Sequence, residues 1–168
     1  SHASVVFSRD GALAYVFGRD GALTRVNLLA RRIEARVMQA GNSIGGAISA
    51  DGTLVAAQNY TPGGVKVFDA KTLALVADIP AEYAPGKLSR VVGLVDLPGR
   101  RFAFSLFDAD AIWIADAQGR LLFANLAAAR LAGHDDIDSL PEQVTDLLAD
   151  QGVKADGDDI VKPALDAE

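Results

Sequence analysis

Two landmarks recur three times in the same step along this chain, and that recurrence restricts it to a modular architecture. Ser8-Arg9-Asp10-Gly11, Ser49-Ala50-Asp51-Gly52 and Leu97-Pro98-Gly99-Arg100 each lead into an apolar run, with Asp10, Asp51 and Pro98 spaced by 41 and 47 residues. An Asx residue closing a short apolar segment follows each turn after 17, 18 and 18 residues, in Leu23-Thr-Arg-Val-Asn27, Val65-Lys-Val-Phe-Asp69 and Ile112-Trp-Ile-Ala-Asp116. Two markers keeping step three times imply one supersecondary unit used repeatedly. The longer third interval predicts an insertion around residues 82–88, which are rich in loop formers.

Inside each unit the pattern is that of short strands. Leu13, Tyr15 and Phe17 alternate with smaller residues, as do Phe102, Phe104 and Leu106, which is the period of two expected of a β-strand. Asp-Gly pairs at 10–11, 20–21 and 51–52 predict tight turns, because Gly tolerates positive φ. Pro62-Gly63-Gly64 predicts a looser hairpin. A period of roughly 40–45 residues with about four short strands is the signature of propeller blades. A β-sandwich, the plainer alternative, has no reason to repeat a turn and an Asx landmark in step. The expected fold is mainly β: about three four-stranded antiparallel propeller-type blades at about 1–40, 41–80 and 81–117, a partial β-propeller, followed by a short α-helical C-terminal segment. A closed ring takes roughly four to eight blades. Three blades leave open edges, through which copies of the chain could self-associate.

Charge divides the chain. Among its 168 residues, 1–133 hold 14 Lys/Arg against 11 Asp/Glu, a net of +3, whereas 134–168 hold 2 against 11, a net of −9. The first part suits an anionic ligand, and the second repels nucleic acid and anionic membrane surfaces. No nucleic-acid recognition pattern is present, and no apolar run approaches the ~20 residues that span a bilayer. The absence of Cys excludes disulfides, thiolate catalysis and cysteine–zinc sites. The chain opens at Ser1 without Met and reads as mature, trimmed or fragmentary.

Five ordered motifs carry a family resemblance: His2-Ala-Ser-Val-Val-Phe-Ser8, Val16-Phe-Gly-Arg-Asp-Gly21, Gly41-Asn-Ser-Ile-Gly-Gly-Ala-Ile-Ser49, Asn59-Tyr-Thr-Pro-Gly-Gly-Val-Lys-Val-Phe-Asp69 and Ser89-Arg-Val-Val-Gly-Leu-Val95. Over about residues 1–117 the chain resembles the haem d-one biosynthesis proteins related to the haem d-one propeller domain of cytochrome cd-type nitrite reductase. The resemblance implies an eight-bladed periplasmic propeller that binds haem d-one or its dihydro precursor late in the pathway serving denitrification. Its partners would be the tetrapyrrole and other haem d-one maturation proteins or the nitrite reductase. Dehydrogenase and carrier roles both stay open. By resemblance, His2 stands at the axial iron-ligand position, and neutral imidazole ligates iron well. Arg19 matches an arginine facing the macrocycle's carboxylates, a task suited to a guanidinium fork. Tyr60 matches a pocket tyrosine, and Arg90 is a further pocket candidate. Beside these stand plainer readings: a frayed or tag-derived His2, a solvated turn arginine at 19, a rim aromatic packed on Pro62 at 60, and a surface arginine at 90.

From Ile112 to Gly133 the chain resembles the opening of a PAS sensor domain, with Asp116, Gly119, Asn125 and Gly133 at the matching places. Residues 121–123 read as a strand, Asn125 as an N-cap, 126–131 as a helix and Gly133 as its stop. Residues 141–148 read as a second helix and 149–168 as an acidic tail. Residues 118–150 are thus a strand with a helical cap or a PAS-like fragment. Two further functional readings follow, a signalling or interaction module and an inactive recombined fragment. His134-Asp135-Asp136 with Asp138 reads as a solvated loop rather than a metal site, and 156–159 lacks the ligand pattern of an EF-hand. Gly41–Gly46 lacks the Lys-Ser/Thr of a P-loop.

Overall fold

Each repeated turn closes through the same local chemistry. In a computed structural model, which describes residues 3–109 and 111–124, the Ser8 hydroxyl donates to Asp10 Oδ1 (2.6 Å) and accepts the Leu13 amide (2.8 Å). Ser49 repeats this with Asp51 (2.5 Å) and the Leu54 amide (3.0 Å). Hydrogen bonds from the Ser49 hydroxyl and then the Thr53 amide hold the Asp51 carboxyl at about 2. Gly11 and Gly52 complete these turns at φ of +72° and +74°, a region that favours glycine.

The Asx landmarks have an equally local cause. Asn27 Oδ1 accepts the Ala30 amide (2.8 Å), Asp69 Oδ1 accepts those of Lys71 (3.0 Å) and Thr72 (2.7 Å), and Asp116 Oδ1 accepts those of Gln118 and Arg120 (both 2.9 Å). Each landmark is therefore an Asx turn that sends the chain from the third strand of a unit into the fourth.

The strands form three four-stranded antiparallel sheets in sequence order, which resemble propeller blades. The first contains β1 (Ala3–Phe7), β2 (Leu13–Gly18), β3 (Ala22–Asn27) and β4 (Arg32–Met38). The second contains β5 (Asn42–Ile48), β6 (Leu54–Thr61), β7 (Val65–Asp69) and β8 (Leu75–Ile79). A short hairpin, β9 (Glu82–Ala84) with β10 (Lys87–Leu88), occupies the expected insertion. The third sheet contains β11 (Val91–Leu97), β12 (Arg101–Leu106), β13 (Ala111–Asp116) and β14 (Leu121–Ala124). The strand expected at 121–123 is thus the fourth strand of the third sheet, which runs beyond residue 117 to Ala124. The expected helices at 126–131 and 141–148 and the tail lie outside the described residues. Among the described residues, no helix is long and apolar enough to cross a membrane.

Two apolar layers join the sheets. Tyr15, Phe17 and Leu23 of the first pack with Ile48, Val55, Ala57 and Phe68 of the second. The opposite face of the second, through Leu54, Ala56, Val65 and Val67, packs with Val91, Phe102, Phe104 and Trp113 of the third. Strand β5 touches both β1 and β11. At one end, Arg9 donates to the carbonyls of Ile48 (2.8 Å) and Ser49 (2.9 Å) and reaches Asp96 (2.9 Å), tying all three sheets together.

Gly46 marks how closely the first two sheets approach. A Cβ there would lie 2.2 Å from Phe17 Cζ and 2.3 Å from the Ala56 carbonyl oxygen. Gly46→Ala is expected to cost about 1–3 kcal/mol, as over-packing does, and to lower the urea midpoint accordingly. Gly45→Ala should cost distinctly less, because its Cβ meets the movable Gln58 amide at 3.2 Å. Equal losses would contradict the close approach at Gly46.

Candidate ligand-binding face

Antiparallel pairing collects alternate loops at one end of each sheet. Ala3 pairs with Gly18, Asn42 with Thr61 and Val91 with Leu106. The inner strands β1, β5 and β11 therefore begin beside the turns that follow β2, β6 and β12. Arg19, Tyr60 and Arg90 consequently fall at the same end of their sheets, opposite the Arg9 clamp. His2 lies outside the described residues, immediately before the β1 residue that pairs with Gly18.

The second and third sheets meet closely at this end. The Gly64 amide donates to the Ser89 carbonyl (3.2 Å), and a Cβ on Gly63 would lie 2.2 Å from that same oxygen. Gln39, just after β4, and the buried Asn59 of β6, next to Tyr60 in sequence, exchange reciprocal amide hydrogen bonds of 2.8 and 3.0 Å.

Tyr60 and Arg90 are brought together, and they have companions that the sequence reading missed. Arg90 Nη1 donates to the Tyr60 hydroxyl at 2.8 Å. Arg90 Nε lies 3.0 and 3.2 Å from the two Asp108 oxygens, and Nη2 donates to Asp108 Oδ1 as well. The guanidinium carbon lies 4.1 Å from the Phe107 ring centre and 5.0 Å from that of Tyr60, within cation–π range. Hydrogen bonds from the Arg90 side chain and backbone hold the Asp108 carboxyl below its usual range, and the Asp108 bond raises Arg90. The signal for this partnership was available in the chain: β11 and β12 fold back about the Pro98-Gly99 turn, which sets Arg90 opposite Phe107, whose amide donates to the Arg90 carbonyl at 2.9 Å.

Arg19 has the opposite environment. It is exposed in the β2–β3 turn, and its neighbour Asp20 is taken by Arg36 Nη2 at 2.7 Å. Arg19 has no hydrogen-bond or ionic partner among the described residues. Asn42, at the start of β5, keeps a buried Oδ1 without a partner among the described residues. Among the described residues this end therefore offers an uncompensated cation and the half-exposed Phe107 ring, which suit a flat anionic ligand, and the Asn42 amide oxygen, which could accept from a ligand N–H or O–H. Among the described residues no group of three or more His, Cys, Asp or Glu could hold a metal ion.

Ser89 underpins the cluster. It is fully buried, accepts the Asp108 amide at 2.9 Å and donates to the Arg90 carbonyl at 3.0 Å. Ser89→Ala leaves both groups without that partner and is expected to cost about 1–3 kcal/mol, measured by urea unfolding. An unchanged midpoint would contradict this supporting role.

The cytochrome D1 heme domain model matches residues 1–135, and a PAS domain model matches residues 109–164. The two overlap on the segment that contributes β13 and β14. The chain is 70% identical over 118 residues to Protein NirF of Pseudomonas aeruginosa, which covers 69% of this chain and 30% of that protein. It is 37% identical over 141 residues to the dihydro-heme d1 dehydrogenase of the same organism, covering 82% of this chain and 27% of the relative. Among solved structures it resembles dihydro-heme d1 dehydrogenase NirN in complex with DHE, with a TM-score of 0.61, 37% identity, and coverage of 67% of this chain and 24% of that one. The chain thus spans less than a third of the length of these relatives. With the fold, the ordered motifs and the match over residues 1–135 in agreement, this chain belongs to the cytochrome D1 heme domain family.

Proposed function

We propose that this chain supplies part of the ligand-binding rim of a periplasmic protein that binds haem d-one, or its dihydro precursor, late in haem d-one biosynthesis. The observation that carries the reading is the unpartnered Arg19 at the end of the sheets where Tyr60 and Arg90 also lie. A guanidinium without a carboxylate partner among the described residues is suited to a ligand's carboxylate. The cytochrome D1 heme domain match and the dihydro-heme d1 dehydrogenase, as a relative, support a tetrapyrrole as that ligand.

In this reading Arg19 pairs with a haem carboxylate, Phe107 offers apolar surface to the macrocycle, and Asn42 supplies a polar contact. His2 ligates the iron through a neutral imidazole nitrogen. The bound iron would supply redox and ligand-binding chemistry; the residues of this chain bind and orient. Other maturation proteins or the nitrite reductase are the proposed exchange partners. The PAS match at 109–164 favours a second reading, an interaction module in that part of the chain.

Titration of the purified chain with haem d-one, followed by visible absorbance with solution mass measured alongside, tests the proposal. Saturable binding with a shifted Soret band is expected. His2→Ala should abolish the shift, and Arg19→Ala should weaken binding roughly tenfold or more, the range for a charge-assisted hydrogen bond. No saturable binding by the folded chain, or unchanged binding by both variants, would overturn it. A mass that rises only when haem is bound would mean that copies share the site.

A further inference from the structure

Two arginines at the ligand end look interchangeable in sequence, and the structure separates them. Resting on the proposed haem reading, we infer that Tyr60 is the ligand-facing hydrogen-bond donor and that Arg90, locked by Asp108, is a positioning residue acting through it rather than a carboxylate partner.

The argument begins with what Arg90 has left to offer. Its Nε–Nη2 edge is engaged side-on by Asp108, and the Phe107 and Tyr60 rings lie within cation–π distance of its guanidinium carbon. Its charge is cancelled by the carboxylate. A ligand carboxylate approaching Arg90 would compete with Asp108, whose own position is fixed through the Ser89 hydroxyl and the Arg90 amide at 2.9 Å. The pair is therefore neutral as a unit, with hydrogen bonds to both partners' backbone amides.

Nη1 donates to the Tyr60 hydroxyl at 2.8 Å, and this bond gives the neutralised pair its use. A phenol hydroxyl has one proton and can accept on its lone pairs. With a guanidinium donating to it, the Tyr60 proton must point away from Arg90, and it meets no acceptor among the described residues. Accepting from a cation also strengthens the hydroxyl as a donor. The arrangement is a directed, uncharged O–H donor on a partly exposed residue. Arg19 by contrast offers uncompensated charge. The two ends of the face thus divide the work: Arg19 attracts the anionic group, and Tyr60 fixes the ligand's orientation through a single acceptor oxygen.

Salt dependence and non-additivity distinguish this from direct pairing. Haem d-one binding should weaken roughly 3- to 10-fold in Tyr60→Phe, the range for one net hydrogen bond. The double variant Arg90→Gln/Asp108→Asn keeps the net charge and leaves no unpaired carboxylate, so it is the variant to compare. It should lose as much as Tyr60→Phe, add nothing when combined with it, and keep the wild-type dependence of affinity on ionic strength. Arg19→Gln should flatten that dependence. Additive losses together with a flattened salt dependence in the double variant would make Arg90 a direct carboxylate partner and overturn the inference alone. Wild-type affinity in Tyr60→Phe would also overturn it. A wild-type chain that binds no haem d-one would overturn the haem reading and this inference together.

Discussion

Burial of the second sheet on both faces is the constraint on which the rest of this structure depends. Leu54, Val55, Ala56 and Ala57 of β6 are all buried, because successive residues point to opposite faces and each face meets a neighbouring sheet. A strand covered on one side alternates apolar and polar residues; a strand covered on both reads as a continuous apolar run. The small Ala and Gly residues are part of the same solution. Gly46 admits Phe17 from the first sheet, and the close stacking that follows sets the inner strands β1, β5 and β11 side by side. The outer faces carry the complement of this packing. Val5 and Phe7 on β1 and Val95 on β11 are exposed, as expected of sheets built to receive further neighbours. That agrees with a chain that spans 30% of NirF.

Stacking the sheets in one orientation also sorts the loops into two chemically different ends. The Ser-x-Asp-Gly turns and Arg9 make one end, where hydrogen bonds close within the protein: Arg9 donates to Ser49 and Asp96, and Ser49 to Asp51. Among the described residues, the other end keeps groups without a partner, namely the Arg19 guanidinium and Asn42 Oδ1. The difference between an end that is satisfied and one that is not is the physical basis for placing a ligand at the second.

The fold was legible because its signals are local. A Ser hydroxyl capping its own turn and an Asx side chain accepting amides two to four residues ahead need nothing from the rest of the chain. Their recurrence therefore reports the repeat directly. The boundary of the third sheet was harder to read. Asp116 leads into β14 as Asn27 leads into β4 and Asp69 into β8, yet the same residues also carry a PAS-like pattern, and the two signals compete. Arg19, Tyr60 and Arg90 were singled out through motif resemblance. Their differing states were not, because charge compensation is a tertiary property. Asp20 turns to Arg36 and leaves Arg19 without a partner among the described residues, while Asp108, 18 residues from Arg90, cancels the charge of Arg90 through the β11–β12 pairing. Phe107 and Asp108 lie in a turn with no counterpart motif in the other repeats, so only strand register reveals them.

Amide hydrogen exchange, with and without haem d-one, tests the central claim most directly, that stacked sheets present one ligand-binding end. The account predicts that haem slows exchange at residues 18–21, 60–64, 89–91 and 106–109 and leaves the turns at 8–12, 49–53 and 97–100 unchanged. Slowed exchange at those opposite turns, or none at the first set while haem is bound, would contradict it.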